Sequence, residues 1–175
     1  MSTLSEHIRY TTGHCSFGAL LLATSEEGIV AILLGDEDPS MVADLQHRFP
    51  RATLEEDRVG LADDLKTLLE YVEHPMGKLV LQRPLVPRGS PFQQKVWTAL
   101  AKVPAGQTIS YSELAQSVGN PKAVRAVAGA CAANPLAMVV PCHRVLRSDG
   151  GISGYRWGVE RKKKLIALER RLANS

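Results

Sequence analysis

Ser110-Tyr-Ser-Glu-Leu-Ala-Gln-Ser-Val-Gly119-Asn-Pro-Lys-Ala-Val-Arg125-Ala-Val-Ala-Gly-Ala-Cys-Ala132 is the stretch on which the fold of this chain turns. Ser110 is a good helix cap, and Glu113 three residues on completes a capping box. Leu114 and Val118 supply an apolar side, and Gly119 stops the helix. Asn120-Pro121 then opens a second helix, predicted from about Lys122 to Ala132. Helix, tight glycine turn, helix is the helix-turn-helix pattern. The second helix carries almost only small side chains, with Lys122 and Arg125 near its start. The Asn, Gln and clustered Arg that read base edges in a major groove are missing. Taken alone, such a helix reads first as a tightly packed core element, and the basic charge of this half turns the reading towards DNA.

Working outward, Ser90 is another N-cap, with Pro91 at the first helical position and Gln93 completing a capping box; Phe92, Val96, Leu100 and Val103 follow at helical spacing. Towards the N-terminus, Ile8–Thr12, Ala19–Thr24 and Ile29–Leu34 are β-prone runs separated by Gly13, Gly18 and Gly28, which predicts adjacent strands of an antiparallel sheet. Helices are predicted over Pro39–Phe49 and Gly60–Val72, the latter with Leu61, Leu65, Leu68, Leu69 and Val72 on one stripe. Lys78–Leu81 reads as a returning strand. The turn-rich stretch 83–90 reads as a linker, and its Leu85–Ser90 also spells a thrombin recognition sequence, by engineering or by coincidence. The expected organisation is an α/β (α+β) chain: an α/β domain over residues 1–82, the linker 83–90, and a mostly helical domain over residues 91–175.

The chemistry lies further on. Residues 139–145 read Val-Val-Pro-Cys-His-Arg-Val, placing a thiol, an imidazole and a guanidinium side by side after an apolar run. A thiol reacts as its thiolate, and His143 and Arg144 bring a base and positive charge expected to lower the pKa of Cys142. The competing reading is a small buried hydrophobe. The other cysteines, Cys15 and Cys131, make no disulfide framework with it and no zinc spacing. Cys131 reads as a packing residue. No metal and no cofactor are expected.

Charge separates the two halves. Residues 1–90 hold 8 Lys+Arg against 14 Asp+Glu, while residues 91–175 hold 13 against 4, within an overall net charge of +3. So basic a second half points to a polyanion, nucleic acid first. The run Arg161-Lys-Lys-Lys164 is equally an ordinary exposed helix face. No run of about 18 apolar residues marks a membrane span, and no signal-peptide pattern opens the chain. A soluble, intracellular protein is expected.

Pro141-Cys142-His143-Arg144-Val145, preceded by Asn134 and the Arg125 helix, resembles the signature of the O6-alkylguanine-DNA alkyltransferases, the methylated-DNA-protein-cysteine methyltransferases. Ile8-Arg9-Tyr10, Ala31–Asp36, Phe92-Gln-Gln, Lys122–Val127 and Ser153–Gly158 carry the similarity over essentially the whole chain. They look most like the C-terminal half of the family's bacterial adaptive-response branch. The resemblance implies a ribonuclease-H-like N-terminal domain and a helix-turn-helix that enters the minor groove. It also implies direct reversal of damage: a flipped O6-alkylguanine, and by extension O4-methylthymine, gives its alkyl group irreversibly to a cysteine. A monomer acting on double-stranded DNA in the cytoplasm, associated with the nucleoid, is expected.

Carried over by position, the resemblance makes Cys142 the acceptor and His143 the base that ionises it through a bound water. Glu169 would hold the histidine and Asn134 would order the segment around the thiol. Tyr111 would bond the flipped base and help protonate the leaving guanine, while Arg125 would fill the gap in the stack. Cys142 and Val145 would grip the base through their carbonyls and Arg156 through its amide, with Ser148 and Tyr155 lining the pocket. Trp157 stands where many members carry glycine, so methyl is expected to be repaired faster than benzyl. The four-cysteine phosphotriester domain of the adaptive-response branch, and transcriptional activation by self-methylation, are not expected. Two rival classes are a non-enzymatic binder of alkylated DNA, whose kind replaces the cysteine, and a Cys-His hydrolase, which needs neither the basic half nor the helix-turn-helix.

Overall fold

The computed structural model describes residues 6–174 and divides into two compact units, one running to Glu73 and including Gly77–Pro87, the other formed by Arg88 onward with His74–Met76. The first five residues of the expected N-terminal domain and Ser175 lie outside the described residues.

The first unit is built on four strands: β1 (His7–Cys15), β2 (Gly18–Thr24), β3 (Ile29–Gly35) and β4 (Thr53–Glu56). They are ordered β3-β2-β1-β4, antiparallel except for the parallel β1–β4 pair. Ala19 to Thr24 are all buried: β2 lies between β1 and β3 and helix α1 (Asp38–Arg48) packs on it, while α2 (Ala62–Glu73) packs on β1. An unbroken apolar run is the signature of a strand covered on both faces.

Three expectations for this unit change. Gly13 does not separate strands: it sits inside β1 opposite Leu20, so β1 is longer than Ile8–Thr12. Thr53–Glu56 forms an edge strand that no pattern announced, since only Leu54 is even half-buried there. Lys78–Leu81 forms no strand and pairs with no strand among the described residues; Val80 is 68% exposed. The chain just beyond it is captured by the buried carboxylate of Asp64, which accepts from the amides of Gln82 (2.6 Å) and Arg83 (3.3 Å). Within the stretch read as a linker, the backbone of Ile29 donates to Pro84 (2.8 Å) and accepts from Val86 (2.8 Å), tying it to β3. Gly28 permits that approach, for a Cβ there would lie 2.4 Å from the Pro84 carbonyl oxygen.

The second unit holds α3 (Pro91–Leu100), β5 (Ile109–Ser110), α4 (Tyr111–Ser117), α5 (Val124–Ala132), a 3-10 turn at Cys142–Arg144, β6 (Val145–Leu146) and α6 (Val159–Ala173). Ser90 and Ser110 each form the expected capping box, with Gln93 and Glu113 bonding back. Gly119, at φ +80, makes the turn of the helix-turn-helix. The second helix starts later than expected, at Val124, with no side-chain cap: the Ala123 amide donates to the Asn120 carbonyl (3.0 Å), so residues 121–123 form a turn instead. Its small residues serve packing, since Val127, Ala130 and Cys131 are buried and the Trp97 indole Nε1 donates to the Ala130 carbonyl (2.9 Å). Short parallel pairing of β5 with β6 brings the start of α4 beside the segment that follows the Cys-His-Arg turn.

Candidate functional site

The Cys-His-Arg turn is fixed from below by a fully buried asparagine. Asn134 Nδ2 donates to the carbonyls of Val140 (2.8 Å) and Leu136 (3.3 Å), and Asn134 Oδ1 accepts from the Leu136 amide (2.9 Å). An amide side chain with a donor end and an acceptor end can close a loop on itself in this way. The clamped loop holds Met138 at φ 69, a conformation rare outside glycine.

Behind the turn lies a buried ionic network. Glu169, from α6, takes two bonds from the Arg144 guanidinium, Nε to Oε1 (2.8 Å) and Nη2 to Oε2 (2.7 Å), and its Oε2 lies 2.8 Å from His143 Nε2. Arg144 Nη1 also donates to the Val103 carbonyl (2.7 Å). Burial works to raise the Glu169 pKa, but the bonds from Arg144 and His143 win and hold it at about 2. An ionised carboxylate only accepts, so Nε2 of His143 carries the proton and Nδ1 keeps its lone pair. Nδ1 is buried with no bonding partner among the described residues. Burial, opposed by the Glu169 bond, lowers the His143 pKa below its ordinary 6.5, which keeps the ring neutral and able to take a proton.

Cys142 opens onto a cavity of about 580 Å³ whose lining includes Tyr111, Ala128, Cys131, Ser153, Tyr155 and Arg156. Its pKa runs against the expectation from sequence. Burial first, then the neighbouring Cys131 thiol, push it well above the ordinary range, with Asn134 and the Lys162 charge pulling the other way. The guanidinium of Arg144 is committed to Glu169, and the cation the thiol feels is Lys162. At rest Cys142 is therefore a protonated thiol.

The other expected residues divide into three groups. On the cavity wall, the Tyr111 hydroxyl hydrogen bonds with Ser153 Oγ (2.7 Å), Arg156 Nη1 donates to the Ala132 carbonyl (3.1 Å), and Tyr155 lies edge-on to His143 (6.4 Å between ring centres). Immediately behind the wall, Val145 is fully buried in β6, and Trp157 is 5% exposed, edge-on to Tyr155 at 5.4 Å. Outside the cavity stand Arg125, exposed on α5 one turn before Ala128, and Ser148, exposed and bonded to Ser112 Oγ (3.1 Å). Ser148 was expected on the pocket wall; the turn closed by the Gly150 amide on the Arg147 carbonyl (2.8 Å) places it elsewhere.

Two members of the site were misread from sequence. Cys131 lines the cavity with Cys142 and helps raise its pKa, so it does more than pack. Lys162, placed on an exposed basic face, is fully buried, with Nζ 3.4 Å from the Gly154 carbonyl and 3.5 Å from Ser153 Oγ. Burial lowers its pKa, while the two thiols raise it. Its position was available in the spacing, because Lys162, Leu165, Ile166 and Glu169 share the buried stripe of α6.

Comparison with known proteins gives a consistent result. Residues 91–171 match the family described as "6-O-methylguanine DNA methyltransferase, DNA binding domain", and residues 8–78 match its "ribonuclease-like domain". The Escherichia coli protein "Bifunctional transcriptional activator/DNA repair enzyme Ada" is 48% identical over 162 residues, 93% of this chain and 45% of that protein. The constitutive "Methylated-DNA--protein-cysteine methyltransferase" of Bacillus subtilis is 37% identical over 92% of this chain and 94% of its own length. Among solved structures, Mycobacterium tuberculosis OGT in complex with DNA superposes with a TM-score of 0.79 at 32% identity, covering 94% of both chains. The chain spans less than half the length of the Escherichia coli relative.

Proposed function

Because the chain belongs to the 6-O-methylguanine DNA methyltransferase family, we propose that it repairs O6-alkylguanine in double-stranded DNA by moving the alkyl group to Cys142, once per molecule and irreversibly. The observation that carries this reading is a buried thiol, Cys142, on the wall of a cavity of about 580 Å³, followed by a neutral histidine whose far nitrogen is locked to an ionised Glu169.

A base inside a stacked duplex cannot present O6 to a thiol, so the nucleotide is extruded into the cavity at a cost of a few kcal/mol. Arg125 fills the gap, from the face of α5 that also carries Ala128. The small side chains of α5 let that helix approach the minor groove closely, with phosphate contacts from the basic half and no sequence reading. The carbonyls of Cys142 and Val145 and the amide of Arg156 hold the base edge, against Tyr155 and the buried Trp157. O4-methylthymine presents the same alkylated oxygen and is a second substrate.

The proton of Cys142 passes through a bound water to Nδ1 of His143, and the imidazolium so formed is stabilised by Glu169. Lys162 favours the thiolate. The sulfur attacks the alkyl carbon; the S–C bond forms as the C–O6 bond breaks, and the electron pair leaves on the guanine. Tyr111 donates to that departing group. The thiol stays neutral until the lesion is seated, and placement of the carbon in line with sulfur supplies most of the acceleration. The protein acts as a monomer on DNA in the cytoplasm.

The test is the burst. With excess duplex O6-methylguanine, repaired guanine reaches one equivalent per protein and stops. Tight binding without repair would support the non-enzymatic binder, and multiple turnovers would support a hydrolase; either outcome overturns the proposal.

A further inference from the structure

Methyl transfer uses one thiol, yet the cavity holds two. Cys131, at the end of α5, and Cys142, in the 3-10 turn, both line it and are 7% and 4% exposed, and the Cys131 thiol is near enough to help raise the Cys142 pKa. The third cysteine, Cys15, belongs to the other unit, and none of the three is in a disulfide. Lys162 stands near both sulfurs, and its charge favours the Cys142 thiolate.

An acceptor that is spent once is also vulnerable. A hydroperoxide that enters the cavity oxidises the same sulfur to a sulfenic acid, and a second oxidation to the sulfinic acid is irreversible for most proteins. A second thiol on the same cavity wall intercepts the first product. We propose that Cys131 and Cys142 form a reversible disulfide that preserves the acceptor under peroxide stress, the consequence for repair resting on the reading of Cys142 given above.

The chemistry balances. The Cys142 thiolate attacks one oxygen of ROOH and breaks the O–O bond, giving Cys142–SOH and an alkoxide that takes up the thiol's proton as ROH. Cys131 sulfur then attacks the sulfenic sulfur, the S–S bond forms and water leaves. A dithiol reductant returns both thiols and is itself oxidised to its disulfide. Bonding requires the sulfurs to close to about 2 Å. Both lie at the ends of secondary elements, Cys131 in the last turn of α5 and Cys142 at the start of the 3-10 turn, joined by the residues 133–141 connection.

The experiment uses the full reduced chain and hydrogen peroxide, with remaining thiols alkylated under denaturing conditions before intact-mass measurement and non-reducing peptide mapping. The expected result is loss of two hydrogens, one thiol left to alkylate (Cys15), a peptide joining Cys131 to Cys142, and full return of both thiols on dithiothreitol. Cys131→Ser and Cys131→Ala should both instead gain two oxygens at Cys142 that dithiothreitol cannot remove. A wild type that goes to sulfinic acid as fast as these variants, a crosslink through Cys15 or between molecules, or two thiols left unoxidised would overturn the proposal. The wild-type map needs neither variant to fold. Failure of methyl transfer in protein never exposed to peroxide would instead count against the acceptor reading alone.

Discussion

Replacing Glu169 by glutamine keeps the shape of the side chain and removes the charge that organises the network behind Cys142. In the wild type the carboxyl is 2% exposed and its pKa falls from an ordinary 4.5 to about 2, because the bonds from Arg144 and His143 outweigh burial. Converted at about 1.4 kcal/mol per unit, that depression corresponds to roughly 3 kcal/mol of folding stability, a figure within the range for breaking a buried pair. The sign follows from a folded-state value below the unfolded one. The contribution is complete above pH 4.5 and is lost as the pH falls through about 2. E169Q should thus be less stable than wild type by about 3 kcal/mol at pH 7, with the gap narrowing steadily below pH 4.5 and nearly closed near pH 2, where protonated Glu169 resembles glutamine. Urea denaturation followed by tryptophan fluorescence reads this directly, because both tryptophans, Trp97 and Trp157, lie in the second unit. A gap that stays constant between pH 7 and pH 2.5, or one below about 1 kcal/mol at neutral pH, would refute the reasoning.

Asn134→Ala leaves the buried Leu136 amide and Val140 carbonyl without their side-chain partner and should cost about 3 kcal/mol in the same denaturation assay; a loss under about 1 kcal/mol would mean the loop holds itself. Arg125→Ala should slow repair of duplex lesions roughly 10- to 100-fold relative to reaction with the free modified base, measured as the ratio of the two rates, and an unchanged ratio would remove Arg125 from the DNA interface. Methyl should be transferred much faster than benzyl in single-turnover kinetics, since the Tyr155 wall is backed by the buried Trp157 and has no room to retreat; equal rates would contradict that picture.

Much of the second unit could be read from sequence because its signals are local. A serine followed three residues later by Gln or Glu is a complete capping device, and Ser90 and Ser110 behave accordingly. The antiparallel strands of the first unit were visible for the same reason. What escaped depends on partners distant in sequence. Thr53–Glu56 is a strand only because β1 lies alongside it, and its own residues carry no apolar alternation. Lys78–Leu81 has the composition of a strand but no neighbour to pair with among the described residues. At the site, the candidates Cys142, His143 and the residues around them followed from one short motif and the resemblance it carries. The direction of the Cys142 shift did not, because adjacency in sequence said nothing of burial or of Arg144 being drawn onto Glu169, 25 residues away. Lys162 was hidden inside a basic run whose other members are partly or fully exposed.

The most direct measurement is where the alkyl group goes. Protein incubated with duplex DNA bearing isotopically labelled O6-methylguanine, then digested and mapped by mass, should carry one labelled methyl on the sulfur of Cys142, with none on Cys131 or Cys15 and none anywhere in Cys142→Ala. Restored guanine with the label on another residue or released to solvent, or a Cys142→Ala variant that repairs normally, would contradict the account.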